Sequence, residues 1–347
     1  MPPRWGILGA ARIARQAVVP AIREAGGDVV VVGCRDRARG EEFASALSVE
    51  MVVQGYQAVL DSDIDCVYIP LPNSLHCEWA VAALERGLHV LCEKPLALNR
   101  LQARQMAARA RSADLLLGEA VMYRHHPRWA TLASLLDSGR IGPVRQISGN
   151  FAFPLAAGPD YRWEAEMGGG ALYDVGSYLV SGARFLAGRE PVSACAIGIA
   201  RRQVDETVAF GLRFPEVHDE PALVASLTCG ISSAESQWLR VVGTDGELVI
   251  EEPFTAWRGG EPPIRLRTGA GREEEIPSPP ADPYCEMVRA FHHSLATGEP
   301  FPTSGEEGVA NLVALDAVFE SLGRDGVPVA IGGQHARQAG GRGIAAG

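Results

Sequence analysis

The chain has 347 residues, long enough for two medium domains, and at 47% hydrophobic and 21% charged it has the composition of an ordinary globular protein. A net charge of -10 with dispersed cations excludes a surface built for a polyanion, because a phosphate backbone needs clustered cations, so nucleic acid is not an expected partner. No apolar run approaches the roughly 20 residues of a membrane-spanning helix, and MPPRWGILGA has no leader-like cleavage site, so the expectation is a cytoplasmic protein with no membrane partner.

The first 120 residues alternate short β-branched runs with helical patterns. Strands are predicted over 5–8, 29–34, 51–53, 66–69, 89–92 and 115–118, and helices over 11–25, 37–47, 74–86 and 98–112. This alternation implies an α/β fold with a doubly wound parallel sheet covered by helices on both faces.

Beyond Pro127 longer alternating stretches appear, over 144–153, 208–214, 223–231 and 238–250, the last broken by Thr244-Asp245-Gly246, a hairpin signal. They predict an α+β domain with a mainly antiparallel sheet. Helices over 171–187 and 282–296 are expected to accompany it, and one over 306–322 to return toward the first domain. The domains are thus expected at 1–122 and 123–332, with 333–347 a disordered Gly- and Ala-rich tail.

In WGILGAARIA a strand, a turn and a helix start follow one another. The fit to G-x-G-x-x-G/A is loose, with Gly9 making the turn, Ala11 in the second glycine's place and Ala14 in the third. If the loop binds a dinucleotide, the free amides around Ala11, Arg12 and Ile13 face the pyrophosphate; otherwise Gly9 only turns the chain. The second strand ends on Cys34 and Arg35, where an NAD enzyme carries a carboxylate for the ribose diol. An arginine there suits the 2′-phosphate of NADP, with NAD use left open.

The fourth strand runs into Pro70, Leu71, Pro72 and Asn73, a stiff loop at the sheet's ligand edge, and His76 in the next helix either reaches a ribose or lies on the helix surface. The fifth strand ends on Glu93 and Lys94, followed by Pro95. A partly desolvated lysine beside a cofactor can hydrogen-bond a substrate oxygen or exchange a proton, whereas the bland alternative is an ion pair with Glu93. Whether the Lys94-Pro95 bond is cis cannot be read from residues alone.

In EMGGGALYDVGSY three glycines precede a helix on which Asp174 and Tyr178 stand four residues apart, a spacing that stacks them on one face. Such a carboxylate and phenol can run proton transfer, or simply pack in a core. The seven cysteines never form C-x-x-C, so neither disulfides nor zinc are expected. The pairs His125-His126 and His292-His293 diverge on a helix, so no metal site is expected.

GILGAARIA, LPNSLH, CEKP, AVMYRHHP and GGGALYDVGSY occur in the order and spacing of the Gfo/Idh/MocA oxidoreductases, which the chain resembles from residue 4 to about 330. The resemblance implies a Rossmann domain followed by an open-faced domain whose sheet forms a homodimer or homotetramer contact. It implies that Lys94 is catalytic and that Asp174 lies beside the substrate. Tyrosine at 178, where many members carry histidine, resembles the branch of NADP-dependent xylose and glucose dehydrogenases, dihydrodiol dehydrogenase and NDP-hexose 3-ketoreductases, in which it is the general acid or base. Glu119, Met122 and Arg162 match positions that line the pocket. The expected function is NADP-dependent hydride transfer at a carbinol or carbonyl carbon of a sugar. Reduction of an NDP-3-ketohexose or oxidation of a trans-dihydrodiol is the alternative within the enzyme class, and a non-catalytic dinucleotide-binding regulator is the alternative outside it.

Overall fold

The structure, a computed structural model, describes residues 1–218, 220–255, 262–269 and 271–332. Two compact units are present. The first comprises Met1–His125 and Asp282–Val309, the second His126–Ala281 and the chain from Ala310 onward.

In the first unit, β1 (Arg4–Leu8) leads through a wide π turn (Ala14–Val18) into α1 (Val19–Glu24). There follow β2 (Asp28–Cys34), α2 (Arg37–Leu47), β3 (Met51–Gln54), the short α3 (Gln57–Leu60), β4 (Cys66–Ile69), α4 (His76–Leu84), β5 (His89–Cys92), α5 (Arg100–Ala113) and β6 (Leu117–Glu119). The strands are all parallel, in the order β3-β2-β1-β4-β5-β6. All four residues of β4 are buried, as a strand covered on both faces requires. Because β1 neighbours both β2 and β4, the chain leaves the sheet in opposite directions at that point, which opens a crevice at the carboxyl ends.

The second unit opens with α6 (Pro127–Asp137) and β7 (Val144–Pro154), and a second π turn (Leu172–Gly176) leads into α7 (Ser177–Ala187). Then come β8 (Ser193–Arg201), β9 (Val204–Phe214), β10 (Leu223–Gly230), β11 (Ser232–Gly243), β12 (Gly246–Glu251), β13 (Ile264–Thr268) and β14 (Glu273–Ile276). With the closing β15 (Val329–Ala330) they form a nine-stranded sheet, β14-β13-β12-β11-β7-β10-β9-β8-β15, antiparallel except for the β10/β7 pair. The expected hairpin is there: β11 and β12 pair antiparallel with Val242 opposite Glu247. Trp129 of α6 and Phe185 of α7 meet edge-on at 5.3 Å over one face. The other face leaves Ile197, Ile199, Val224 and Trp238 exposed.

One expected helix sits elsewhere. The segment predicted over 282–296 forms α8 (Pro283–Thr297), but it belongs to the first unit, where Phe291 packs on Trp5 at 5.3 Å and Trp5 Nε1 donates to His292 Nε2 at 3.1 Å. The apolar stripe of α8 does not say which sheet it covers, and Trp5 decides it. Of α9 (Gly305–Leu322), the start through Val309 counts with the first unit and the rest with the second. The sequence reading missed α3, α6, β8, β13, β14 and β15. The tail 333–347 lies outside the described residues. No helix among those described is long and apolar enough to cross a membrane.

Candidate active site

The turn after β1 is built around Gly9, at φ +101°, a conformation that favours glycine. Its N–H donates to Gly33 O at 2.8 Å, and a Cβ there would stand 3.2 Å from Leu71 of the neighbouring loop. Ala11 and Ile13 are half-buried and Arg12 is exposed, just ahead of the π turn. This turn therefore fits a dinucleotide phosphate: a glycine corner, the short side chains of Ala10 and Ala11, and the start of a helix.

At the end of β2, Cys34 is buried, its thiol beside the Ala10 amide and pushed up in pKa by burial, so it adds to the wall rather than to an exposed contact. Arg35 is exposed and interacts with the Tyr56 hydroxyl. Asp36, the nearest carboxylate, caps α2 instead: its Oδ1 accepts from Ala38 N at 3.0 Å and Arg39 N at 3.3 Å. The arginine faces outward and the carboxylate is committed to its own helix.

Lys94 follows β5, half-buried, with a cis bond to Pro95. Glu93 accepts from the fully buried Tyr68 hydroxyl at 2.6 Å, a partner the sequence reading did not foresee. Pro70, Leu71 and Asn73 are buried in the adjoining loop, where Asn73 opens a 3-10 turn (Asn73–Leu75). His76 is neither a surface residue nor free to reach a ribose. It is fully buried, with Nδ1 2.9 Å from Pro95 O and Nε2 2.8 Å from Leu71 O. A further signal was countable from the start: the chain has 31 arginines and one lysine, and that lysine is Lys94. Arginine supplies positive charge everywhere else but does not release its proton near neutral pH, so this position keeps the side chain that can.

The expected pocket walls Glu119 and Met122 are each only 2% exposed, so neither presents a surface to a ligand in this conformation. Glu119 is turned inward because Oε1 accepts from Leu96 N at 2.8 Å. The first histidine pair is split between two elements rather than carried on one helix: His125 Nε2 is 3.0 Å from Thr303 Oγ1, while His126, the N-cap of α6, accepts at Nδ1 from Arg128 N. His292 holds Trp5, and His293 pairs with Glu299. Among the described residues, no metal-binding cluster is found. All seven cysteines are free thiols.

In the second unit, Asp174 lies within the π turn, so its relation to Tyr178 crosses a change of helical pitch rather than running along one regular face. Arg162 Nε donates to Asp174 Oδ2 at 2.6 Å, and Arg162 Nη1 also pairs with Asp160 at 3.2 Å. Tyr178 is half-buried, its ring edge-on to Phe151 at 5.6 Å and to Phe254 at 5.5 Å. The last glycine of the triplet is explained by Asp205, which the sequence reading overlooked, whereas a Cβ at Gly169 would meet Arg162 O at 2.5 Å. Gly170 has φ +106°, and a Cβ there would fall 2.1 Å from Asp205 Oδ1. The other carboxylate oxygen accepts from Leu172 N at 2.6 Å. Burial pushes the Asp205 carboxyl up to about 7, against the pull of the Leu172 and Ala171 amides. Asp205 thus anchors the start of the helix that carries Asp174 and Tyr178.

Comparison with known proteins agrees in both halves. Residues 3–121 match the model of the oxidoreductase family with NAD-binding Rossmann fold, and residues 129–249 match the GFO/IDH/MocA C-terminal domain. The chain is 34% identical over 320 residues to D-xylose 1-dehydrogenase (NADP(+)) 2 of Haloferax volcanii, covering 91% of this chain and 96% of that protein. It is 33% identical to dTDP-3,4-didehydro-2,6-dideoxy-alpha-D-glucose 3-reductase of Actinomadura kijaniata, covering 91% and 95%. Among solved structures, a 3-ketoreductase from Actinomadura kijaniata in complex with NADP and TDP-benzene superimposes with a TM-score of 0.84 at 32% identity, covering 93% and 98%. That enzyme was also solved with one lysine replaced by alanine and, separately, one tyrosine by phenylalanine.

Proposed function

Because the chain belongs to the GFO/IDH/MocA oxidoreductase family, we propose that it is an NADP(H)-dependent enzyme that interconverts a carbinol and a carbonyl on a sugar. NADP, when bound, supplies the hydride acceptor or donor. Gly9, Ala11, Arg12 and Ile13 hold its pyrophosphate end and Arg35 its 2′-phosphate, with Asp36 withdrawn into a helix cap. Cys34, Pro70, Leu71, Asn73 and Glu93 shape the surrounding walls. Tyr178 moves the proton of the reacting oxygen, Lys94 hydrogen-bonds and electrostatically tunes that transfer, and Asp174, held by Arg162, orients substrate hydroxyls.

The observation that carries this reading is the single lysine of the chain, standing at the carboxyl end of β5 where a doubly wound sheet binds its ligand. Further support comes from the solved 3-ketoreductase: the lysine and tyrosine replaced there stand as far apart in sequence as Lys94 and Tyr178 do here. The proposed division gives the nucleotide to residues 1–122 and the substrate to 123–332, although Asp282–Val309 groups with the first unit. The proposed enzyme acts in the cytoplasm as a homodimer or homotetramer through the nine-stranded sheet, an assembly supported by the exposed apolar face of Ile197, Ile199, Val224 and Trp238.

A panel of D-xylose, D-glucose and related aldoses with NADP+, and of keto-sugars with NADPH, followed by absorbance of the reduced cofactor, tests the reading. Turnover on at least one sugar, lowered by roughly 10²-fold or more in Lys94→Ala, is expected; binding of NADP with no turnover on any polyol or ketose returns the chain to a dinucleotide-binding regulator. A second reading, reduction of a nucleotide-linked keto-sugar, is favoured by Arg201 and Arg202, whose guanidinium groups lie over Trp163 at 5.9 and 5.2 Å beside Arg162 and offer charge to a diphosphate. Oxidation of a trans-dihydrodiol stays in the panel as the remaining alternative.

A further inference from the structure

Two side chains on different elements of the first unit converge on one peptide group. The amide that joins Pro95 to Leu96 offers its carbonyl to His76 Nδ1 at 2.9 Å and its N–H to Glu119 Oε1 at 2.8 Å. His76 starts α4, Glu119 ends β6, and the amide follows β5 directly after Lys94. The far nitrogen of His76 faces Leu71 O at 2.8 Å, and Leu71 packs toward Gly9. Glu119 is fastened in turn by Thr303: Glu119 N donates to Thr303 O, and Thr303 Oγ1 donates to Glu119 O, both at 2.8 Å. On the other side of Lys94, Glu93 is held by Tyr68.

Burying an imidazole and a carboxylate is expensive, and packing alone would be served better by leucine and methionine. What these two polar groups provide is direction. A carboxylate on the N–H edge and an imidazole nitrogen at hydrogen-bond distance on the C=O edge fix the plane of a single amide against rotation about its flanking bonds. Gly308 leaves room for this arrangement: a Cβ there would lie 2.6 Å from Leu96 Cδ2 and 3.2 Å from Glu119 Oε2.

We infer that His76 and Glu119 are positioning residues for Lys94, clamping the Pro95–Leu96 amide from both edges so that the amine is held at a fixed place and angle. The inference rests on the reading of Lys94 as catalytic, but not all of its test does. Because Lys94 is the only lysine, reductive methylation with ¹³C-formaldehyde places a label on that side chain and otherwise only on the N-terminal amine. The labelled amine's NMR shift, line width and titration then report the environment of Lys94 without any turnover.

The variants are Glu119→Ala, His76→Leu, Glu119→Gln, His76→Asn and Lys94→Ala, with Glu119→Ala also made in the Lys94→Ala background. NADP affinity is read by titration and folding by thermal denaturation. Turnover is measured with the panel sugar oxidised or reduced fastest.

Glu119→Ala and His76→Leu should each lower kcat by about 10- to 100-fold, the cost of a misplaced reacting group, with NADP affinity and the sugar's KM little changed. Glu119→Gln, whose amide oxygen still accepts from Leu96 N, should recover most of the loss. In the Lys94→Ala background Glu119→Ala should cost nothing further, because the clamp acts only through the amine. The Lys94 resonance should shift and broaden in Glu119→Ala and His76→Leu and return in Glu119→Gln.

The clamp is overturned if Lys94→Ala is inactive while folded Glu119→Ala and His76→Leu turn over normally, or if the two losses multiply in the double variant. If Lys94→Ala keeps full turnover, the catalytic reading of Lys94 fails, and the resonance alone judges the clamp: movement supports it and constancy overturns it. Should Glu119→Ala or His76→Leu not fold, Glu119→Gln and His76→Asn carry the same comparison, with a normal resonance in Gln and a displaced one in Asn, which cannot span both carbonyls, as the expected pair; an unmoved resonance in His76→Asn counts against the clamp.

Discussion

Arg162 and Asp174 form a charge pair 2.6 Å apart in which the aspartate side chain is 8% exposed and the arginine side chain 25%. Asp174 is therefore presented to its surroundings already oriented, with one oxygen committed to Arg162. Replacing Arg162 by methionine keeps the aliphatic stem but leaves a nearly buried carboxylate without this partner. The expected cost is about 3 kcal/mol, toward the low end for a broken buried pair because part of Arg162 meets water. Thermal denaturation should show the lowered midpoint, and kcat/KM for the sugar should fall with it. The double variant R162M/D174N, which also removes the nearly buried charge at 174 and leaves only the more exposed Asp160 without its arginine, should regain part of the stability but none of the activity.

Asp205 makes a prediction about pH. Its carboxyl titrates near 7 in the folded protein and near 3.9 in an unfolded chain. Between those values the native state holds a proton that the unfolded state has released, so this group's contribution to stability is full below about pH 4 and declines as pH rises toward 7. His125 acts oppositely: burial holds it down at about 3, so the unfolded chain takes up the proton first and stability rises with pH across that range. The measurement is therefore a difference. Melting midpoints of the wild type minus those of Asp205→Asn should fall steadily from pH 4 to 7, by at most about 1.4 kcal/mol of stability per pH unit. A flat difference curve would place the carboxyl at an ordinary pKa.

The fold was legible because both units are built from periodic elements: parallel strands that read as continuous apolar runs and antiparallel ones that alternate. β14 was missed because Glu273-Glu274-Glu275 looks like a solvated charge run, and only its pairing with Arg265 and Arg267 of β13 makes it a strand. The assignment of α8 depended on Trp5, nearly three hundred residues away in sequence, and no local pattern encodes that contact. At the site, charge at a strand end marked Lys94, and four-residue spacing marked Asp174 and Tyr178. His76, Glu119, Tyr68 and Asp205 were misjudged or overlooked for one reason. His76, Glu119 and Asp205 act on main-chain groups and Tyr68 on the side chain of Glu93 just after the next strand, and such a partner leaves no trace in residue type.

The outward Arg35 and the self-capping Asp36 predict the cofactor preference. Arg35→Ala should raise KM for NADP by about 10- to 100-fold, the range for losing a charge-assisted hydrogen bond to phosphate, while KM for NAD changes little. Initial rates with each cofactor at saturating sugar give the ratio. Equal losses with both would mean that Arg35 acts through Tyr56 and the shape of the loop.

Tyr178 offers the sharpest separation of chemistry from packing. Its ring is held edge-on by Phe151 and Phe254, contacts that phenylalanine keeps in full, so Tyr178→Phe removes an oxygen and a proton and leaves the aromatic cluster standing. If the hydroxyl moves the substrate's proton, turnover should drop by about 10²- to 10⁴-fold with the melting midpoint nearly unchanged, and the acidic or basic limb of the kcat profile that belongs to the phenol should disappear. If the residue were only part of the core, the order would reverse, with a shifted midpoint and intact turnover. Paired kinetics and calorimetry on this one variant distinguish the two outcomes, since both cannot be produced by the loss of the same atom.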